Sequence, residues 1–321
     1  MPSDVLTFEG RGVSRAFGHG KKRNVAVDDV SFRIRERDIV SIVGQSGCGK
    51  TVLAKMLLRL ETPTGGELLY KGRSIEAVKD PREHWREVQA VFQDPYGAFN
   101  QFFTIRSQLK ASFHLFEKKP PAQEMEDRVD KALMAVNIRP KEVEGKYPFE
   151  LSGGQMQRML LARIFILRPR VLIADEPTSM VDACSRANIL DYLMKLKQEL
   201  DMTIVFVTHD IGLAYYISDQ IFIMHQGRIV EQGHPDQVTQ SPQSAVTRQL
   251  LEDIPSLHRP WIERGSDAGS ALGADHDQDR PPRSSVAPAV LRRARVCGHG
   301  PRVPSGHGAA RAGVRRPALY A

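Results

Sequence analysis

One short stretch of the chain has the residue types and spacing of a phosphate-binding loop. It follows the apolar run 39–43 and precedes the helix-like run 52–58, which predicts a strand, a glycine-rich turn and a helix. The loop consists of Gly44, Gln45, Ser46, Gly47, Cys48, Gly49, Lys50 and Thr51. Glycines let several backbone N–H groups face one anion, and the helix N-terminus favours negative charge. In such a loop Lys50 reaches the β- and γ-phosphates and the Thr51 hydroxyl is a ligand of Mg²⁺. The alternative is a chance glycine turn.

Carboxylates and a histidine follow two further apolar runs. Asp175 and Glu176 come directly after the run 171–174, and His209 comes shortly after the run 203–207. Paired carboxylates often lie in a solvated loop, and a single histidine is often structural. In open α/β sheets, however, ligands bind beyond the carboxyl ends of the strands, where these residues would lie beside the phosphate loop.

Two more motifs lie between the phosphate loop and Asp175 in the sequence. Gln93 ends a strand-like run at 88–92, and Leu151 begins a second glycine-containing motif. The motif continues with Ser152, Gly153, Gly154 and Gln155. A small polar residue and two glycines before a helix make a second N-terminus that accepts anions. In isolation, such a motif is more often a plain helix cap than a binding site.

The elements expected to hold these residues form a mixed α/β protein. Alternating short stretches over 5–35 predict an antiparallel strand pair, and 67–70 and 88–92 are predicted strands after a turn at 62–66. A helical pattern covers about 99–167 and indicates a helical insertion. The runs 220–224 and 227–231 predict a closing hairpin.

Composition excludes several classes of protein. With 321 residues, 41% hydrophobic and 26% charged, the chain is typical of a soluble globular protein with a sizeable core. It has no apolar run of about 18 residues and no visible secretory signal. Cys48, Cys184 and Cys297 stand singly, which favours a reducing compartment and offers no metal-binding spacing.

The net charge of +7 is concentrated at the C-terminal end. Residues 265–321 contain nine Arg, no Lys and four Asp, and so carry +5 of it. They are poor in large apolar residues and are predicted to be disordered. An inert tail or a frameshifted coding end explains this composition, and a segment that binds nucleic acid or acidic lipid is the alternative.

In this order, the motifs resemble the ATP-binding subunits of ABC transporters. The resemblance covers about residues 5–258 and leaves 259–321 as a C-terminal extension. It comprises the Walker A loop 44–51, the Q-loop Gln93, the signature 151–155, the Walker B segment 171–176, the D-loop 179–182 and the switch His209. The resemblance implies a P-loop ABC ATPase core with an antiparallel β subdomain and a helical insertion subdomain.

The resemblance also implies a role for each residue. Phe17 would stack on adenine, although a half-buried strand aromatic is the plainer interpretation. Lys50 and the backbone of 46–51 would hold the phosphates of ATP. Thr51, Gln93 and Asp175 would arrange Mg²⁺. Glu176 would be the general base, or would orient the attacking water, and His209 would contact the γ-phosphate.

The family works as a dimer, so the resemblance implies partners. Ser152 and Gly154 would close over ATP bound to a second ABC ATPase subunit, identical or different. Gly153, Gln155 and the D-loop residue Asp182 are also expected to bind the nucleotide. Two integral-membrane permeases and an extracytoplasmic solute-binding protein would complete the complex at the cytoplasmic face of the membrane. No nucleic-acid partner is expected.

Within the family, the sequences of 44–50, 91–96 and 247–255 resemble those of the ATPases of oligopeptide and dipeptide importers. Arg37-Asp38, Gln101 and the run 244–247 depart from that subgroup. Nickel or sugar importers and export or lipoprotein-release systems remain alternatives. A soluble ABC ATPase acting on ribosomes or DNA is disfavoured by the single cassette, and intact Glu176 and His209 disfavour a non-hydrolysing regulator.

Overall fold

In the part of the chain that the structure describes, ten strands form two sheets that meet at the phosphate loop. The computed structural model describes residues 5–18, 20, 23–179 and 183–252, excluding the side chains of 183–185 and 187. The strands are β1 Leu6–Phe17, β2 Asn24–Arg35, β3 Ile39–Val43, β4 Gly65–Tyr70, β5 Arg73–Ser74, β6 Val88–Val91, β7 Val171–Asp175, β8 Thr203–Thr208, β9 Gln220–His225 and β10 Arg228–Gly233. One sheet is antiparallel, in the order β2-β1-β4-β5, and the other has the order β10-β9-β3-β8-β7-β6.

The helices cover both faces of the six-stranded sheet or pack beside it. They are α1 Lys50–Leu57, α2 Pro81–Glu87, α3 Ile105–Ala111, α4 Ala122–Ala135, α5 Pro140–Val143, α6 Gly153–Leu167, α7 Ala183–Leu200, α8 Ile211–Ile217, α9 Pro235–Gln240 and α10 Ala245–Glu252. The segment α3 to α6 is called the helical subdomain below. No helix in the described part of the chain has the length and apolarity needed to cross a membrane.

The sheet order brings the motif-bearing strands together. In the six-stranded sheet, β3, β8, β7 and β6 are parallel neighbours, with Val43 paired to Thr208 and Asp175 paired to Val207. Strands β3, β7 and β8 are buried at every position, as expected for strands covered on both faces. The phosphate loop, the two carboxylates and His209 therefore leave the sheet at the same edge.

Two hydrophobic cores hold this arrangement. One lies between the two sheets and includes Phe8, Ile42, Met56 and Phe222. The larger core joins the six-stranded sheet to the helical subdomain and α7, and Phe113 and Phe206 are among its fully buried side chains. The phosphate-loop helix and the helical subdomain thus pack on different faces of the sheet.

Most of the element predictions are confirmed. The strand pair within 5–35, the helical pattern within 99–167 and the hairpin of β9 and β10 all form. The predicted turn at 62–66 is too long, because Gly65 and Gly66 already belong to β4. A Cβ on Gly66 would lie 2.1 Å from the carbonyl oxygen of Gly12, so glycine there permits close strand pairing rather than a turn. The domain limit at 258 and the tail 259–321 lie outside the described residues, and the domain boundaries stay a prediction.

Candidate nucleotide-binding site

The loop after β3 has the predicted geometry of strand, turn and helix. Gly47 and Gly49 have φ of 80° and 108°, in the left-handed region that favours glycine. Side chains are also excluded by space: a Cβ on Gly49 would lie 2.2 Å from the carbonyl oxygen of Ala26, and one on Gly44 would lie 2.1 Å from that of Met224. The glycine spacing is thus required by the close packing of β2 and β9 around the loop.

Lys50 lies inside the loop and is only 5% exposed. Its Nζ donates to the carbonyl oxygens of Gly44 (2.7 Å) and Gln45 (3.0 Å). The ammonium group is therefore held within the concave side of the loop, where it can meet an anion without first being drawn in from solvent. The third contact of the ammonium is with Sγ of Cys48, 4.0 Å from Nζ, and this weak acceptor is one that a phosphate oxygen could replace.

Thr51 and Asp175 face each other across the sheet edge. The Thr51 hydroxyl donates to Oδ1 of Asp175 over 3.4 Å. Asp175 is 5% exposed, and burial raises the pKa of its carboxyl, with the hydrogen bond from Thr51 opposing the rise. A buried carboxylate beside a hydroxyl is an oxygen donor set that suits Mg²⁺, which takes few protein ligands and keeps several waters.

Glu176 has an unusual backbone conformation. Its φ is 45°, and its N–H donates to the carbonyl oxygen of Val207 over 2.9 Å. A non-glycine residue in the left-handed region costs free energy that the surrounding structure must offset, and such residues cluster at active sites. Here the conformation turns the chain away from β7 and leaves the Glu176 side chain 19% exposed.

Oε2 of Glu176 lies 3.5 Å from Nδ1 of His209. His209 is 62% exposed, so its ring stands at the surface end of this pair. Asp210 caps the following helix by accepting from the N–H groups of Gly212 and Leu213, which fixes the chain just after His209. The structure thus brings Lys50, Thr51, Asp175, Glu176 and His209 to one edge of the sheet.

Gln93 and the signature lie on two segments that are joined by a hydrogen bond. Gln93 is exposed, two residues beyond Val91 of β6, the strand adjacent to β7. Three residues later, the Tyr96 hydroxyl donates to the carbonyl oxygen of Leu151, the first signature residue. Movement of the Gln93 segment is therefore linked directly to the signature segment.

The signature serine is a helix cap in this structure. Ser152 Oγ accepts from the Gln155 N–H (3.3 Å), and Gln155 Oε1 accepts from the Ser152 N–H (3.0 Å). This capping box leaves the N-terminus of α6, with Gly153 and Gly154, available to an anion. Capping and anion binding are thus compatible uses of the same turn.

Phe17 ends β1 and is half-buried. The Arg15 guanidinium lies 4.6 Å from its ring centroid, over one face of the ring. An adenine could therefore stack only on the other face. Asp182 lies outside the described residues.

Sequence patterns missed one residue that supports the Walker B loop. Gln157 is 1% exposed, and its Nε2 donates to the carbonyl oxygen of Pro177 over 2.9 Å, joining α6 to the turn after Glu176. The only signal for it was a polar residue within an apolar helical stretch. Its partner, a backbone carbonyl 20 residues away, leaves no trace in the sequence.

Comparisons with known proteins agree with this geometry. The family model described as "ABC transporter" matches residues 27–179. The di/tripeptide transport ATP-binding protein DppF of Pseudomonas aeruginosa is 36% identical over 248 residues, 77% of this chain and 76% of the relative. The oligopeptide transport ATP-binding protein OppF of Lactococcus lactis is 35% identical over 73% of each chain.

The chain belongs to the ABC transporter family. As an ATP-binding member of this family, it is an ATPase. Among solved structures, a dimeric post-hydrolysis state of the ATP-binding cassette MJ0796, bound to ADP and Pi, is similar with a TM-score of 0.65 and 25% identity. That match covers 71% of this chain and 98% of the cassette. The predicted fold, a P-loop ABC ATPase with antiparallel and helical subdomains, is thereby confirmed.

Proposed function

We propose that this ABC ATPase is the energy-coupling subunit of an importer for oligopeptides or dipeptides. The observation that carries the ATP chemistry is the meeting of Lys50, Thr51, Asp175, Glu176 and His209 at one sheet edge. The substrate class is supported by the relatives, whose names describe transport of dipeptides, tripeptides and oligopeptides.

In the proposed mechanism the loop backbone and Lys50 bind the phosphates of ATP. Thr51 and Asp175 would hold Mg²⁺, with Gln93 reaching it as the site closes. The ion would supply neutralisation of the charge that develops on the phosphates. Glu176 accepts a proton from the attacking water or orients that water. His209 contacts the γ-phosphate and the Glu176 side chain, and so fixes their relative position.

The partners follow from the proposed role. Ser152 and Gly154 of one subunit would cover ATP bound to the other, so the working form would be a dimer of ATPase subunits. Two permeases would dock near the helical subdomain at the cytoplasmic face of the membrane, with a solute-binding protein outside. A hollow of about 340 Å³ between α2, β6 and α3, lined by Trp85, Phe92 and Phe99, offers a membrane protein an apolar contact.

Two substitutions test the residue roles. Glu176→Gln removes the base but keeps the size of the side chain, so it should bind ATP normally and lose 10²-fold or more of the turnover, as a rough guide from general-base catalysis. Lys50→Ala removes a donor to the phosphates, so ATP binding itself should weaken. Unchanged turnover in the first variant would contradict the assignment of the base, and wild-type affinity in the second would contradict the phosphate role.

The transport role is tested by purification from native membranes. Glu176→Gln protein held closed with ATP should carry along two permeases, an ATPase partner and a peptide-binding protein, identified by mass spectrometry. A nickel- or sugar-binding protein in their place would replace the peptide substrate. Ribosomal or DNA-repair proteins without any membrane chain would overturn the importer and leave the ATPase intact.

A further inference from the structure

Helix α2 is attached to the far end of the phosphate-loop helix. An α-helix leaves its last carbonyl groups without partners inside the helix. Nε2 of His84 lies 2.8 Å from the Leu57 carbonyl oxygen, and Nε1 of Trp85 donates to that of Leu58 over 2.9 Å. A carbonyl can only accept, so the proton of the His84 ring is on Nε2. Two adjacent side chains of α2 therefore cap the C-terminus of α1.

The capping histidine is held rigidly. His84 is 3% exposed, and its ring meets that of Tyr70 edge-on, with centroids 5.2 Å apart and an interplanar angle of 84°. Burial lowers the pKa of His84, which keeps the ring neutral. The Tyr70 hydroxyl in turn donates to Glu87, the last residue of α2, over 2.6 Å. The helix is thus fixed against both α1 and the antiparallel sheet.

Arg86, which follows Trp85 in α2, contacts the helical subdomain. Nε of Arg86 donates to the carbonyl oxygen of Leu115 over 2.7 Å, and its Nη1 lies 3.2 Å from Oε1 of Glu117. Leu115 ends the 3₁₀ turn 112–115 that follows α3. Helix α2 also continues directly into β6, and Gln93 follows two residues after the end of that strand. One seven-residue helix therefore contacts the phosphate-loop helix, the helical subdomain and the strand before Gln93.

We propose that His84, Trp85 and Arg86 are positioning residues for the ATP reaction, with α2 tying the phosphate-loop helix to the helical subdomain. The inference rests on the proposed ATP site at Gly44–Thr51. Helix α1 has eight residues, which makes it a rod of roughly 12 Å. A shift at its C-terminus is therefore transmitted to Lys50 and Thr51 at its other end, where small misplacements are costly.

A double-mutant cycle on ATP affinity tests this tie. Trp85→Phe keeps the aromatic ring and removes the N–H donor, and Arg86→Ala releases the helical subdomain. By the size of a single hydrogen bond, we expect about fivefold and about threefold weaker ATP binding, measured by calorimetry with EDTA to prevent hydrolysis. The double variant should lose less affinity than the product of the two single losses, because an α2 that has lost one of its two caps on α1 transmits the Arg86 contact less well. If the double variant loses ATP affinity by the product of the two single losses, the two contacts act independently and the proposed role of α2 is overturned.

Controls separate positioning from general stability. Arg139→Ala removes an exposed arginine of the helical subdomain, paired only with Glu142 at 3.9 Å among the contacts described, and should leave ATP affinity unchanged. Arg86→Lys keeps a cation and a donor but cannot make both guanidinium contacts, so it should bind ATP more tightly than Arg86→Ala and less tightly than the wild type. A purely structural role would lower the unfolding midpoint of the ATP-free protein and leave affinity unchanged, which would contradict the proposal.

The same affinity measurements distinguish a failure of the proposed ATP site from a failure of the proposed role of α2. A wild-type chain that does not bind ATP would overturn the proposed function. If the wild-type chain binds ATP, and Trp85→Phe, Arg86→Ala and the double variant bind it with the same affinity, only the role of α2 is overturned.

Discussion

At the scale of the residue, Asp175 shows a conflict between stability and function. Burial raises the pKa of this carboxyl above its usual range. An acid whose pKa is higher in the folded state stabilises the fold below its unfolded pKa. That stability is lost as the pH rises through the folded pKa, so the ionised form is a cost near neutral pH. The cost is understandable if the position serves a cation that the ATP-free protein lacks.

We therefore expect Asp175→Asn to stabilise the ATP-free protein. Removing a buried charge should raise the free energy of unfolding at pH 7 by about 0.5–2 kcal/mol, and the gain should vanish as the pH falls below the usual aspartate range. Turnover of ATP should be lost in the same variant. Denaturant unfolding at several pH values measures the first effect, and phosphate release measures the second.

The matched control for this prediction is Asp127→Asn on α4. Asp127 is exposed and accepts only from Gln123 Nε2 among the hydrogen bonds described, so its substitution should change stability by less than about 0.5 kcal/mol. If Asp175→Asn destabilised the protein at pH 7, burial would not be the dominant influence on this carboxylate.

At the scale of the element, one glutamate attaches the last described helix. Glu231 on β10 accepts from the N–H groups of Gln243 and Ser244, at 2.9 and 3.0 Å, and from the Thr247 hydroxyl. Burial acts to raise its pKa, but the hydrogen bonds prevail and hold the pKa below its usual range. A lowered pKa means that the stabilisation is present above the unfolded pKa and is lost as the pH falls through the folded one.

Glu231→Gln should consequently loosen α10 at neutral pH. Loss of charge-assisted hydrogen bonds should cost about 1–3 kcal/mol, seen as faster amide hydrogen exchange over 243–252. The difference from wild type should shrink as the pH falls through the lowered pKa of the folded carboxylate, below the usual glutamate range, because the native side chain is then protonated as well. Glu199→Gln is the control, since its exposed pair with Lys195 at 3.7 Å should be worth little. Equal exchange at pH 7 in both variants would contradict the capping role.

The phosphate loop and the parallel strands could be predicted from the sequence, whereas the roles of His84 and Glu231 could not. The phosphate loop was predictable because its glycines, Lys50 and Thr51 are contiguous and each has a local reason to be there. The parallel strands were predictable because they are short apolar runs. The roles of His84 and Glu231 depend on partners 27 and at least 12 residues away, and neither residue differs in type from an ordinary surface residue. Packing across elements decides such roles, and local patterns do not record it.

At the scale of the whole molecule, the proposed function leaves the ATP site half complete within one chain. The N-terminus of α6, capped by Ser152, has backbone N–H groups that suit a phosphate, and the related cassette MJ0796 is described as dimeric with ADP and Pi. If the proposed function is right, ATP lies between the Lys50 loop of one subunit and the α6 N-terminus of the other. ATP binding and dimerisation should then be linked.

The last prediction follows from this linkage. Glu176→Gln protein, 35.9 kDa as a single chain, should become a dimer when ATP is added, as measured by light scattering during size-exclusion chromatography. Adding Gly154→Asp should abolish the dimer, because its carboxylate would face the partner's phosphates, while the single chain still binds ATP through its own Lys50 loop. Ala122→Asp places the same charge at the N-terminus of α4 and should have no effect. If Glu176→Gln protein stayed monomeric with ATP bound, self-pairing would be excluded and the second half of the site would have to come from a different ATPase subunit.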